Sequence, residues 1–452
     1  MSLRSGAKRQ GAAALEKITW ILSPKWLLTL ESGHQALEGQ SLAINDGKII
    51  AIDTHERIHQ RYEAQEFVNL PGHILMPGFV NAHTHLPMSL LRGLADDLPL
   101  MRWLEDYIWP KERKWVSREF VREGALLAIA ELIRGGVTCF NEMYFYEKEV
   151  AAVAHEVGIR GRVAESILDF EMPWSKDGQA CIERVIELIE FVSKFPLIKA
   201  SIAPHSPYAT KRHHLEQVRD LSEKYRIPVH IHLQETFDEI EQFRTLHHKR
   251  PTEYLSEIGL INPMLQAVHM TQANSRDIEL FRKGGAHIIH CPESNMKLAS
   301  GSCPVHECLK AGINVALGTD GSASNNDLDL FGEMRSAAFM AKLVDTNPEY
   351  LPASSVLHMA TRGGAKALGL GSEIGSIEVG KAADVIAVDL DRFETLPVYH
   401  PVSQLVYAAC REQVTDVWVN GKRLLKDRKL TTIDESQLRA NVESWRKKIR
   451  GR

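Results

Sequence analysis

At 452 residues, 44% of them hydrophobic and 25% charged, the chain holds enough apolar material for a large core and enough length for a barrel with one side domain. A formal net charge of −4, with Lys and Arg scattered, leaves no basic stripe for a nucleic acid, and no apolar stretch is long enough for a membrane span. The six cysteines, Cys139, Cys181, Cys291, Cys303, Cys308 and Cys410, show no Cys-x-x-Cys spacing, which points to reduced thiols and a cytoplasmic protein.

In chain order, residues 1–10 are basic and polar without an apolar centre, so they are no secretory signal and are expected to form a disordered extension. Residues 15–75 read as short strands and turns, with the hairpin signal Asp46-Gly47, and are expected to form the first part of a small β-sandwich. The apolar run Ile74-Leu75-Met76-Pro77-Gly78-Phe79-Val80 then closes on Asn81-Ala82-His83-Thr84-His85. Seven further apolar runs follow, at 137–141, 161–165, 198–203, 228–232, 266–269, 287–290 and 314–318, separated by amphipathic segments such as 119–135, 182–195 and 213–225. Strand and helix alternating eight times over roughly 250 residues predicts an α/β fold, a (β/α)8 TIM barrel over 76–375. Residues 376–434, with Asn420-Gly421 as a second hairpin signal, are expected to complete the β-sandwich, and 435–452 to form a C-terminal helix.

The ends of these runs carry the chemistry. Alternate residues of a strand share a face, so His83 and His85 point the same way with Thr84 opposed, a pair suited to a divalent transition metal. The fifth run ends His230-Ile231-His232-Leu233-Gln234-Glu235, the sixth at His269, the eighth at Gly318-Thr319-Asp320-Gly321. The carboxyl ends of barrel strands are the active face. His83, His85, His232 and Asp320 would give three nitrogens and one carboxylate with a coordination position left for water. His230 faces the same way as His232, and spacing does not choose between them, although His232 stands nearer the strand end.

The same runs resemble the amidohydrolase superfamily. The likeness rests on Pro77-Gly78-Phe79-Val80-Asn81-Ala82-His83-Thr84-His85, Ala203-Pro204-His205-Ser206-Pro207-Tyr208, His232-Leu233-Gln234-Glu235-Thr236, His290-Cys291-Pro292-Glu293-Ser294-Asn295 and Leu317-Gly318-Thr319-Asp320-Gly321. It extends nearly end to end, since 375–387 looks like the return strand from barrel to side domain. Within the superfamily the chain most resembles the deaminases of 5'-methylthioadenosine and S-adenosylhomocysteine. That resemblance implies a metal on His83, His85, His232 and Asp320, a proton shuttle at Glu235, and a second proton acceptor in Asp320. It implies that His269 steadies the attacking water or the substrate's ring, that His205 contacts the purine, that Ser324 lies on the ribose side and that Trp103 forms an aromatic wall. It also implies a free purine nucleoside as substrate and a homo-oligomeric assembly.

Departures sharpen the expectation. Met101 stands where some relatives place a ribose-binding carboxylate, two residues before the tryptophan, with Asp96 and Asp97 as substitutes to consider. Arginines able to grip a homocysteine carboxylate are not evident around Arg160, Arg162 and Glu165, which favours the methylthio nucleoside. Two-metal relatives carry a bridging lysine at the end of strand four, where this chain has Ala203-Pro204-His205 with Lys199 too early, so one ion, Zn2+ by default, is expected. A guanine deaminase or triazine hydrolase of the same superfamily, and a catalytically inactive binding barrel, are the competing readings.

Overall fold

β-Branched runs and the turn residues between them set the strands of a computed structural model that describes residues 15–31, 33 and 35–451. Residues 1–10, expected as an extension, lie outside the described residues. The first strands are β1 (Glu16–Leu27), β2 (Leu37–Glu38), β3 (Gln40–Asn45), β4 (Lys48–Thr54) and β5 (Tyr62–Pro77). Asp46 and Gly47 turn β3 into β4 with φ of +46° and +78°, the backbone that Asp-Gly favours in a tight hairpin.

Nine strands then supply the barrel: β6 (Phe79–Thr84), β7 (Val137–Tyr144), β8 (Arg160–Ile167), β9 (Ile198–Ala200), β10 (Ala203–Pro204), β11 (Val229–Leu233), β12 (Leu265–His269), β13 (His287–His290) and β14 (Asn314–Leu317). All eight predicted runs are strands, the fourth broken into β9 and β10. They pair in parallel in two arcs, β6 through β7 and β8 to β9 and β10, and β11 through β12 and β13 to β14. Two bridges join the arcs. Ile202 pairs with Val229, the His230 N–H donating to Ile202 O at 2.8 Å, and Thr84 pairs with Asp320, whose N–H donates to His83 O at 3.1 Å.

Between strands run helices started by side-chain caps. Ser117 accepts from the Phe120 N–H at the head of Arg118–Arg134, Asp177 from Ala180 at Gly178–Val192, and Thr236 from Glu239 at Phe237–His247. The opposite end of the barrel is filled by residues around Ala367. Gln266 Nε2 donates to Ala367 O at 2.6 Å, and Arg162 Nε to Leu368 O at 2.7 Å.

The last strands are β15 (Val385–Asp389), β16 (Val414–Val419), β17 (Lys422–Lys426) and β18 (Lys429–Leu430). β15 pairs antiparallel with β5, so both chain ends meet in one nine-stranded sheet of order β18-β17-β16-β15-β5-β1-β3-β4, with β2 on β1. One cluster of that sheet joins Trp20, Leu42, Leu75, Val385 and Trp418, and another gathers Ile18, Ile21, Ala43, Ile58 and Tyr62. The two hairpin turns back onto each other: a Cβ on Gly47 would lie 2.6 Å from Asn420 O. The helix Glu435–Arg450 packs Trp445 edge-on to Phe120 and Trp115. No helix among the described residues is long and apolar enough to cross a membrane.

Candidate active site

The strand ends that close one seam of the barrel also converge their imidazoles. His83 Nε2 and His85 Nε2 each lie 3.3 Å from one oxygen, Asp320 Oδ1, and His232 Nε2 lies 3.3 Å from His83 Nε2. The donor atoms of His83, His85 and His232 lie within 4.8 Å of one another, and so do those of His83, His269 and Asp320. Burial lowers the pKa of His83 to about 4, depresses His85, and holds His232 well below its usual range, so these rings are neutral at pH 7. For Asp320 burial acts to raise the pKa, but the imidazoles packed against it, His83 first and then His85 and His269, hold it well below the carboxylate norm.

Outer partners fix which nitrogen faces inward. His85 Nδ1 is 2.6 Å from Met143 O and His232 Nδ1 is 3.0 Å from His205 O, so both carry their proton on Nδ1 and present Nε2 lone pairs to the cluster. His230 takes the supporting place that spacing left open. Its Nε2 is 2.7 Å from His83 Nδ1 and its Nδ1 3.0 Å from Gln266 Oε1, a relay that orients His83 instead of entering the cluster. Asp320 Oδ2 accepts the hydroxyls of Ser294 at 2.7 Å and Ser324 at 2.8 Å. Gln234, His269, Met270 and Asp320 all have positive φ, between +51° and +75°. Such backbone costs on the order of 1–3 kcal/mol per residue and gathers at functional sites.

Glu235 sits at the edge of the cluster. Its Oε2 is 3.7 Å from His269 Nε2 and its Oε1 accepts the Ser300 hydroxyl at 3.3 Å, while the Glu239 carboxylate receives the backbone N–H of Glu235 at 2.7 Å. Burial, then the charge of Asp320, push the Glu235 carboxyl up to about 8 against the Ser300 hydrogen bond. His269 Nδ1 is held 2.9 Å from Asn295 Nδ2.

His85, His232, Glu235, His269 and Asp320 open on one cavity, which His205, Trp103 and Ser324 also line. His205 packs its ring 4.8 Å from that of His232, and burial lowers its pKa to about 3. Trp103 begins the π-helical turn Trp103–Ile108, buried at 5% exposure, with its indole N–H unpartnered. Ser324 is spent on Asp320 and on Gly321 O, so its immediate role is to hold the carboxylate. Several residues do not join the site. Asp96 is paired with Lys297 at 2.7 Å, and neither it nor Asp97 lines the cavity. Arg160 grips Asp384 at 2.8 Å and Arg162 donates to backbone carbonyls, both away from the cavity, while Lys199 is paired with Glu373. Sequence reasoning missed Glu112 and Tyr144, which face each other on the cavity wall, and Glu142, which accepts the Leu86 N–H and the Thr84 hydroxyl behind His85. The signal for Glu142 was a carboxylate beside Asn141 at the end of the second apolar run; Glu112 gave none.

A profile described as the amidohydrolase family matches residues 74–424, most of the chain. The chain belongs to the amidohydrolase family. This amidohydrolase is 43% identical over 432 residues, 96% of this chain and 98% of the other, to a 5-methylthioadenosine/S-adenosylhomocysteine deaminase from Teredinibacter turnerae. A crystal structure of an adenosine deaminase from Xanthomonas campestris with bound zinc matches with a TM-score of 0.96 at 45% identity, covering 97% of this chain and all of that one. An atrazine chlorohydrolase from Arthrobacter aurescens complexed with zinc shares the fold, with a TM-score of 0.87 over 94% of this chain and all of that one, at 24% identity.

The donor set of this amidohydrolase suits a divalent metal ion. Imidazole nitrogens and a carboxylate oxygen crowd together within 4.8 Å of one another, an arrangement that a shared cation stabilises. Support from Ser294 makes a test. Ser294→Ala, which leaves only the Ser324 hydroxyl on Asp320 Oδ2, should weaken metal binding by about 10–100-fold in a chelator competition. Unchanged affinity would show that Ser294 plays no part in orienting the carboxylate.

Proposed function

We propose that this amidohydrolase is a zinc-dependent hydrolytic deaminase converting the adenine of 5'-methylthioadenosine to hypoxanthine and ammonia, with adenosine and S-adenosylhomocysteine as lesser substrates. One observation carries the choice. Met88, Met101, Met143 and Met172 line the cavity with Leu100 and Phe170, and no Lys or Arg does so among the described residues. A methylthio group packs favourably on such a wall, whereas the carboxylate of a homocysteine tail would be buried without a cation. Relatives named for these substrates support the purine end.

The ligands we assign are His83, His85, His232 and Asp320 around a single ion. The pairing of Lys199 with Glu373 supports that count, since it is the only lysine of the fourth run. When bound, the ion supplies Lewis acidity that makes water a nucleophile at neutral pH. Glu235, kept protonated by burial, gives its proton to the ring nitrogen beside the amine-bearing carbon and draws electrons from that carbon. Asp320 takes one proton from the attacking water and delivers it to the amine, which departs as ammonia. The remaining hydroxyl proton returns to Glu235 as the carbonyl forms. His269 Nε2, beside Glu235, hydrogen-bonds the incoming oxygen, and Trp103 and His205 hold the purine.

The chain divides in this reading into an end domain of 15–75 and 376–434, the catalytic barrel of 76–375 and the helix from 435, which the shared cluster of Trp20, Leu75, Val385 and Trp418 supports. Unpaired thiols at all six cysteines support a cytoplasmic setting. The deciding assay is ammonia release by zinc-loaded protein from 5'-methylthioadenosine, adenosine, S-adenosylhomocysteine and guanine in parallel. We expect the methylthio nucleoside to lead. Turnover of guanine alone would give the site to the competing substrate, and silence on all four would overturn the deaminase.

A further inference from the structure

Glu235 reaches the cavity against the alternation of its own strand. Had β11 run on, side chains would alternate and Glu235, three places after His232, would point away from it; instead both line one cavity. The reversal is made at Gln234, whose φ of +52° turns the chain left-handed one residue before Glu235. A side chain at that φ is strained where glycine is not, and such strain persists only where the surroundings over-determine it.

Those surroundings lie outside the cavity. Gln234 is wholly buried, and its amide meets two residues at the head of the helix Pro251–Glu257. Its Oε1 accepts from Arg250 Nη2 at 2.9 Å, and its Nε2 donates to the Thr252 hydroxyl oxygen at 3.0 Å. Arg250 in turn grips Asp277, in the first turn of the helix Ser275–Gly284, with Nε 3.1 Å and Nη2 2.7 Å from Oδ2. Thr252 donates its hydroxyl to the other oxygen of Asp277. Arg250 Nη2 also lies 2.7 Å from Gln272 O, and the Gln272 N–H donates to Gln234 O at 3.2 Å. None of Gln234, Arg250, Thr252 and Asp277 lines the cavity.

The Asp277 side chain is wholly buried, and a buried ion pair is a weak source of stability, because taking both charges out of water costs about what their attraction returns. What this pair supplies is direction. A planar guanidinium held at one edge by a carboxylate aims its other N–H groups at fixed points, here Gln234 and Gln272. The Glu239 carboxylate and the Thr271 hydroxyl hold the backbone N–H and carbonyl of Glu235 itself, which leaves the outer network one task, the turn before it.

Resting on the deaminase reading, we propose that the Arg250–Asp277 ion pair is a positioning device for the proton-donating Glu235: through the Gln234 side chain it fixes the left-handed turn that swings this carboxyl into the site.

The test follows kcat and KM for ammonia release from 5'-methylthioadenosine by zinc-loaded protein, with zinc affinity measured beside them. Arg250→Lys keeps a charge for Asp277 but lacks the planar fork, and Gln234→Gly suits the positive φ but lacks the amide. Each should lower kcat by about 10–100-fold, as a misplaced catalytic group does, with KM and zinc affinity within about threefold of normal. Added to Glu235→Gln, either change should cost less than about twofold more, because a brace has nothing left to place once the transferable proton is gone. Should Arg250→Lys fail to fold, Gln234→Gly, which leaves the ion pair intact, decides by the same readings. Full activity with glycine at 234 would show that the turn needs no anchor. That result, an equal loss with and without the Glu235 carboxyl, or a fall in zinc affinity alongside activity would overturn the inference while leaving the deaminase standing. Intact protein that releases no ammonia from 5'-methylthioadenosine, adenosine, S-adenosylhomocysteine or guanine would remove both.

Discussion

Glu235→Gln should keep its metal and lose turnover by about 1,000-fold, within the range that a positioned acid and base contributes. The amide is isosteric, can still accept from Ser300, and leaves the Glu239 contact to the backbone untouched, so the fold has no reason to change. What it lacks is a transferable proton. Burial holds the Glu235 carboxyl near 8 in the protein, which makes it an acid at neutral pH, and no neighbouring group duplicates that: His269 is buried and depressed and stands 3.7 Å away. A thousandfold loss corresponds to about 4 kcal/mol of barrier. Ammonia release measured beside metal content separates the outcomes. Activity within a few-fold of normal would remove Glu235 from the mechanism, and loss of metal together with activity would make it structural.

His83→Ala should fail earlier, at metal binding. The ring is wholly buried, its Nε2 faces both Asp320 and His232, and its Nδ1 satisfies His230 Nε2. Truncation removes one donor from the cluster, unpins the relay through Gln266 and leaves a buried nitrogen unpaired at a cost of about 1–3 kcal/mol. Zinc should raise the melting temperature of the normal protein, since a ligand that binds only the folded state stabilises it, and should leave that of the variant unmoved. Metal analysis showing full occupancy in His83→Ala would overturn the ligand set.

Most of the frame was legible because it is local. The run that follows Pro228 alternates β-branched Val229 and Ile231 with imidazoles, and it became the strand Val229–Leu233 with His232 one residue from its end. His83, His85, His232 and Asp320 were visible for the same reason: each stands at the carboxyl end of such a run. His230 was not resolved, because a period of two places it on the same face as His232 and only depth in the barrel separates the two roles. The wall was illegible. Glu112 and Tyr144 belong to a helix and a strand 32 residues apart, and nothing in the spacing of either says that their side chains meet. The meeting of the two chain ends was read from their strand and hairpin signals, but the pairing of β5 with β15, more than 300 residues apart in sequence, was not.

The Asp320 amide that bonds to His83 O closes the barrel between β6 and the turn after β14. In mechanical terms the barrel is a hoop of staves, and a hoop resists sliding of one stave on the next only while it is closed. The side chains that crowd together for a cation hang from the two sides of that joint, so an ion held by His83 and Asp320 would span it as a rivet spans a lap. An ion there would brace a joint that the backbone bond already closes, so cofactor loading would add to the resistance of the barrel to shear.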